Sequence, residues 1–221
     1  MTFVYKTSTV GLKKVGKDWD LTVEWEGPKR KFWINFPFPL LKIIKQEKIG
    51  DIRKTFKIRA TSIKTLESFL KGNPKGVSYD TSLSMLYDLG NQLQSLERFY
   101  MAIPFVNISD IIVVDDRHFF YLNDDKVYDF GSDEEITIDK PHKKSPFISP
   151  EMIKINKIPM KLNFKSGLYS LAALISFCLV KSYVNIDNKY DILGPINTTT
   201  LYYALIRMLE QNPNDRFYLI I

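Results

Sequence analysis

The stretch IIVVDDRHFFYLNDDKVYDFG, residues 111–131, decides how this chain folds. Ile111 to Val114 is short, apolar and β-branched, the composition of a buried strand. His118 to Leu122 and Lys126 to Tyr128 are two further short runs. The Asn123-Asp124-Asp125 turn chemistry between them predicts a hairpin. Upstream, Ser82 to Tyr100 sets Leu86, Leu89, Leu93, Leu96 and Tyr100 at helical spacing, which predicts a long amphipathic helix. Downstream, an acidic and then basic loop runs to Pro146, with His142 among Lys140, Lys143 and Lys144. Gly167 to Val180 is apolar nearly all round, as a central buried helix should be. Thr198 to Glu210 reads as a last amphipathic helix through Leu201, Leu205, Met208 and Leu209, stopped before Pro213.

The first sixty residues have a different character. Phe3 and Tyr5, then Leu21, Val23 and Trp25, then Phe32, Ile34 and Phe36 alternate with polar neighbours at period two, so each set is expected on a strand. Leu40 to Lys48 reads as a short helix and Thr55 to Thr61 as a strand facing inward with Phe56, Ile58 and Ala60. A helix over Ser62 to Lys71 ends at Gly72-Asn73-Pro74-Lys75-Gly76, the best division of the chain. The expectation is an α+β protein with a reduced β-rich unit over residues 1–76 and a mainly helical unit over 77–221.

Composition narrows the class. With 221 residues, 45% apolar and 25% charged, the chain can bury a core without staples. A single cysteine, Cys178, excludes an internal disulfide framework and fits a reducing compartment. The N-terminus shows no charged-then-apolar leader, and the run Gly167 to Val180 is shorter than the ~20 residues needed to span a bilayer. No membrane role is therefore expected, and the location is expected to be cytoplasmic or otherwise inside a host cell. Residues 1–76 hold 17 Lys and Arg against 7 Asp and Glu, whereas the remainder holds 14 against 18. That basic third suits an acidic partner or nucleic acid, with Trp25, Trp33 and Phe36 available for stacking.

Four strings, in order, carry a resemblance: Asp129-Phe130-Gly131, Phe147-Ile148-Ser149-Pro150-Glu151, Ser166-Gly167-Leu168-Tyr169-Ser170-Leu171-Ala172 and Leu209-Glu210-Gln211-Asn212-Pro213-Asn214-Asp215-Arg216. They resemble the magnesium motif, the end of the activation segment, the start of the central helix and the last-helix string of protein kinases. The kinase-like proteins of large DNA viruses are similar. The resemblance covers residues 55–221 and implies a shortened bilobal kinase fold. It implies that Asp129 stands where a magnesium ligand would, and that Glu151 pairs with Arg216.

The departures point away from catalysis. Gly11 and Gly16 do not make the glycine-rich turn that closes over nucleotide phosphates. Lys31 is the candidate for the nucleotide-binding strand lysine and Glu47 for its partner, without the usual surroundings. Counting back from Asp129 sets the catalytic base at Ile111; aligning the hairpin instead sets it at Val113, and neither can accept a proton. Gly167 replaces the acid that braces the catalytic loop, which suggests that no such loop remains. The expectation is a pseudokinase that binds a protein partner as a scaffold and needs no cofactor. One alternative is an active atypical Ser/Thr kinase using ATP and magnesium, with Asp115 or Asp116 as base and Asp129 on the metal. The other is a nucleic-acid-binding module.

Overall fold

The computed structural model describes residues 2–27, 29–140, 145–154 and 156–219; His142, Lys143 and Lys144 lie outside them. Strands β1 (Phe3–Lys6), β2 (Val10–Val15) and β3 (Asp18–Glu24) form an antiparallel meander. A short helix, α1 (Lys29–Ile34), then interrupts the sheet before β4 (Ile43–Ile49) and β5 (Arg53–Ile58) complete it in the order β1-β2-β3-β5-β4. Alternation works as expected in β3, where Trp19, Leu21 and Val23 face the core, and in β5, where Phe56 and Ile58 do.

Two expectations in this region are corrected. Phe32 to Phe36 is not a strand. Phe32, Trp33 and Phe36 are buried while Ile34 is 56% exposed, the pattern of one helical face and not of alternation. The stretch expected as a helix from Leu40 is instead a 3-10 turn followed by β4, whose pairing with β5 outweighs the helix formers in Lys45-Gln46-Glu47-Lys48.

The helix expected over Ser62 to Lys71 divides into strand β6 (Ile63–Thr65) and helix α2 (Leu66–Lys71), capped where the Thr65 hydroxyl accepts from the Ser68 N–H at 3.2 Å. After the Gly72–Gly76 turn comes α3 (Tyr79–Glu97), capped by Ser78 and buried through Leu86, Leu89 and Leu96. Strand β7 (Met101–Ala102) leads to β8 (Ile111–Val114) and β9 (His118–Tyr121). These last two form the hairpin, so its turn is Asp115-Asp116-Arg117 and not Asn123-Asp124-Asp125. Asp115 and Asp116 take the left-handed backbone that a tight hairpin turn requires, at φ 53 and 55. β6 pairs with β8, so the end of the supposed first unit is hydrogen-bonded into the second. One continuous core runs through both.

Strand β10 (Tyr128–Asp129) pairs with β7, not with β9. Strand β11 (Glu135–Ile138) pairs with β12 (Met160–Asn163), and between them lies the single-turn helix α4 (Pro150–Ile153). Helix α5 (Ser166–Val180) is buried on nearly every face. It packs on α3 and on α7 (Thr200–Met208), with the short α6 (Lys189–Leu193) beside them. The protein is thus α+β, sheet-rich at the start and helical later. Among the described residues no helix is long and apolar enough to cross a membrane.

Candidate functional site

The hairpin gathers acids that its sequence keeps apart. Ile111 stands opposite Tyr121, so the residues flanking β8 and β9 meet at one end, where the Leu122 N–H donates to the Asp110 carbonyl at 2.9 Å. Asp110 is buried and accepts from the Asn123 amide at 2.8 Å and from the Lys126 ammonium at 2.7 Å. Asp124 is fully buried; its carboxylate accepts from the Thr9 hydroxyl at 2.5 Å and from the Trp33 indole N–H at 2.9 Å. Thr9 closes the β1–β2 turn, and Trp33 belongs to the inner face of α1. Beside them Ser8 donates to Asp125 at 3.0 Å, and Lys29 reaches both the Asp124 carbonyl (2.6 Å) and Asp125 (3.1 Å). The sheet and the hairpin therefore meet on a buried acidic junction.

Its electrostatics are costly. Burial raises the Asp124 pKa above the usual aspartate value, against the pull of the Thr9 and Trp33 hydrogen bonds and of Lys29. Tyr5 and Tyr121 project phenols into the same region. Burial, and then the nearby acids, push both well above the ordinary tyrosine value. Among the described residues neither hydroxyl has a hydrogen-bond partner. The oxygens of Asp110 and Asp124 face Lys126, Asn123, Thr9 and Trp33, and no group of three or more metal-binding side chains occurs among the described residues.

The residues singled out from sequence fall elsewhere. Lys31 lies on α1 and not on a strand, and Glu47 lies on β4, where it pairs with Lys45. Lys31 does meet Asp129, at 3.0 Å, but as an open surface pair with side chains 45% and 74% exposed. Asp115 and Asp116 occupy the opposite end of the hairpin from the buried acids. Asp115 is bonded to the Ser62 N–H at 2.9 Å and Asp116 to Lys64 at 2.7 Å. The structure does not bring either of them to Asp129, which is tied to β7. Val113 is a buried strand residue paired with Lys64 of β6 and Phe119 of β9, and Ile111 is buried at the start of β8 opposite Tyr121. Trp33 and Phe36 are core residues, which removes them as a stacking platform; Trp25 is partly buried against Phe56 under the Lys54 ammonium.

Glu151 and Arg216 form a two-pronged ion pair, with Nη1 to Oε1 at 2.5 Å and Nη2 to Oε2 at 2.8 Å. Arg216 is fully buried and also donates to the carbonyls of Glu210 (2.7 Å) and Gln211 (2.9 Å). Burial works to raise the Glu151 pKa, but Arg216 and the Ser166 hydroxyl outweigh it and hold the carboxyl below its ordinary value.

A second polar feature lies in a cleft of about 390 Å³ between α3, the hairpin turn and the C-terminal segment around Tyr218. Buried Asp88 accepts from the Phe119 N–H at 2.9 Å, with His118 Nδ1 at 3.4 Å. Burial raises the Asp88 pKa.

The buried junction was hidden by one choice of turn. Asn-Asp-Asp and Asp-Asp-Arg are both good turn sequences, and the second is the one used. With the turn at Asp115, Ile111 must face Tyr121, and acids immediately before β8 and after β9 must meet. No protein-family model matches this chain, and no curated protein matches it.

Proposed function

We propose that this protein is a catalytically inactive relative of the protein kinases that serves as a binding or scaffold module. The observation that carries the proposal is the carboxylate of Asp124, buried and consumed by Thr9 and Trp33. In kinases a metal-binding Asp follows the hairpin, and an Asn five residues after the catalytic Asp precedes it. Asp124 and Asp110 stand at those two ends here, better than Asp129 does. Phe105 then takes the place of the base, and it is buried.

Contacts of α5 support this register. Gly167 abuts the Ile103 carbonyl so closely that a Cβ would lie 2.0 Å from it. The Ser170 hydroxyl accepts from the Val106 N–H at 2.8 Å. On this reading the segment from Ile103 to Val106, held by α5, would stand where the catalytic loop of a kinase does. It holds a phenylalanine where chemistry would need an acid.

The remaining machinery is replaced as well. The β1–β2 turn, Thr7-Ser8-Thr9, holds no glycine and binds Asp124 and Asp125 itself. Kinases carry the nucleotide lysine on their third strand and its glutamate on the next helix. Here β3 has no lysine, and α1 has Lys29, Arg30 and Lys31 but no glutamate. The active-kinase alternative is disfavoured because Asp115 and Asp116 sit at the wrong end of the hairpin.

The test is purified protein with millimolar Mg-ATP. A ligand at a hundredfold excess over its dissociation constant stabilises the native state by about 2.7 kcal/mol, so binding would raise the melting temperature by several degrees. The expected result is no shift and no phosphate transfer from labelled ATP. Transfer by the parent that is lost in both Asp110→Ala and Asp124→Ala would overturn the proposal.

A further inference from the structure

Strand β4 is the last strand of its sheet, and from Ile44 to Ile49 every residue is exposed. That is unusual for a strand of seven residues, since one face of an edge strand ordinarily packs on something. The β4–β5 hairpin projects past the core, and Ile44, Ile49 and Ile52 are 38%, 50% and 52% exposed. On the side away from β5, alternate N–H and C=O groups of β4 form an open ladder, the usual template for strand addition. Lys45 and Lys48 do not by themselves close it, because Glu47 lies between them.

We infer that β4 pairs antiparallel with β4 of a second copy of this chain, joining two five-stranded sheets into one of ten. The sequence of the strand is self-complementary in a single register. In a two-fold antiparallel pair the residue on the axis faces itself, and directly opposed side chains share a face. The register of β4 against β5 shifts between Ile43 and Lys45, so regular pairing is counted from Lys45 onward; with Gln46 on the axis, Lys45 of each copy then faces Glu47 of the other. Moving the axis one residue either way sets Lys45 against Lys45 or Glu47 against Glu47. Charge therefore both admits the pairing and fixes its register. Lys45 and Glu47 already touch within one strand, so both ends of the exchange point to the same face. The inference does not depend on the kinase reading.

Sedimentation equilibrium across micromolar concentrations tests it. A strand-to-strand contact of this kind lies at the small end of specific interfaces, so the dimer is expected to be weak and its population to rise with concentration over this range. Lys45→Glu and Glu47→Lys each introduce two like-charge pairs per dimer and should weaken it at least about tenfold. The double swap, Lys45→Glu with Glu47→Lys, restores opposite charges and should restore the dimer. Register is read separately. Gln46→Cys should cross-link to itself in oxidised glutathione much faster than Ile49→Cys, because only residue 46 meets its own copy. A parent that stays monomeric to about 100 µM overturns the inference and leaves the edge to a strand from another protein. Single reversals that leave the dimer intact also overturn it, as does a swap that fails to rescue while the variant melts like the parent.

Discussion

Arg216 reaches back 65 residues to hold both carboxylate oxygens of Glu151, and it does so from a fully buried position. Two further donors go to the Glu210 and Gln211 carbonyls, and its Cζ lies 5.1 Å from the Tyr169 ring centre. Helix α4 is fastened by this one side chain to the segment after α7. Glu151→Ala should cost about 3–5 kcal/mol, because the guanidinium stays buried without its counter-charge. Arg216→Lys should cost nearly as much, since a single ammonium cannot reproduce the fork. Chemical denaturation of the three proteins measures both losses.

Acid should weaken the same fastening. The folded-state pKa of Glu151 lies below the ordinary 4.5, so its contribution is fully present above that value. It is lost as pH falls through the lower folded value. Stability measured from pH 6 down to pH 2 should fall more steeply in the parent than in Glu151→Gln, whose side chain does not titrate.

Asp124 should behave in the opposite sense. Its raised pKa means that the folded state holds the proton more tightly, so this group detracts from stability as pH rises through the folded value. Asp124→Asn can still meet the Trp33 N–H and the Thr9 hydroxyl without the buried charge. It should therefore be at least as stable as the parent at pH 7. Asp124→Ala leaves a buried indole N–H unmet and should cost about 1–3 kcal/mol. Equal losses in the two variants would show that the charge itself supports the junction.

Gly167→Ala should be among the more damaging single-methyl additions available. Its Cβ would lie 2.0 Å from the Ile103 carbonyl oxygen, and backbone cannot swing aside as a side-chain end can. Overpacking of this kind costs about 1–3 kcal/mol or more. Asp129→Ala removes only an open surface pair and should change stability by no more than about 0.5 kcal/mol. Melting curves of these two variants separate a position kept for packing from one exposed to solvent.

Much of the later fold was legible because periodicity and packing agree there. Leu86, Leu89 and Leu96 lie on the buried face of α3, and the all-round apolar run of α5 is buried all round. Reading failed where one pattern served two periods. Phe32, Ile34 and Phe36 alternate, but Trp33 is the residue that decides, since with Phe32 and Phe36 it completes a helical face. The acids of the junction could not be told from solvated loop acids by type. Asp110 and Asp124 differ from Asp115 and Asp116 only in which end of β8 and β9 they flank. That depends on the turn, and local sequence offered two equally good ones. The fork between Glu151 and Arg216 entered through resemblance alone, because no spacing rule connects residues so far apart.

Thr9 and Trp33 arrive at Asp124 from two different elements of the sheet half, a strand turn and a helix; the Trp33 bond is buried and the Thr9 bond partly so. Parting the halves by even a few ångströms would break both bonds at once and strand a carboxylate in a dry space. Small rocking motions, of the kind by which a two-part clamp admits and releases a ligand, are therefore expected to be costly here. Hydrogen exchange should register this as a shared opening free energy for the amides of β2, β3, β8 and β9, which lose protection together and not half by half.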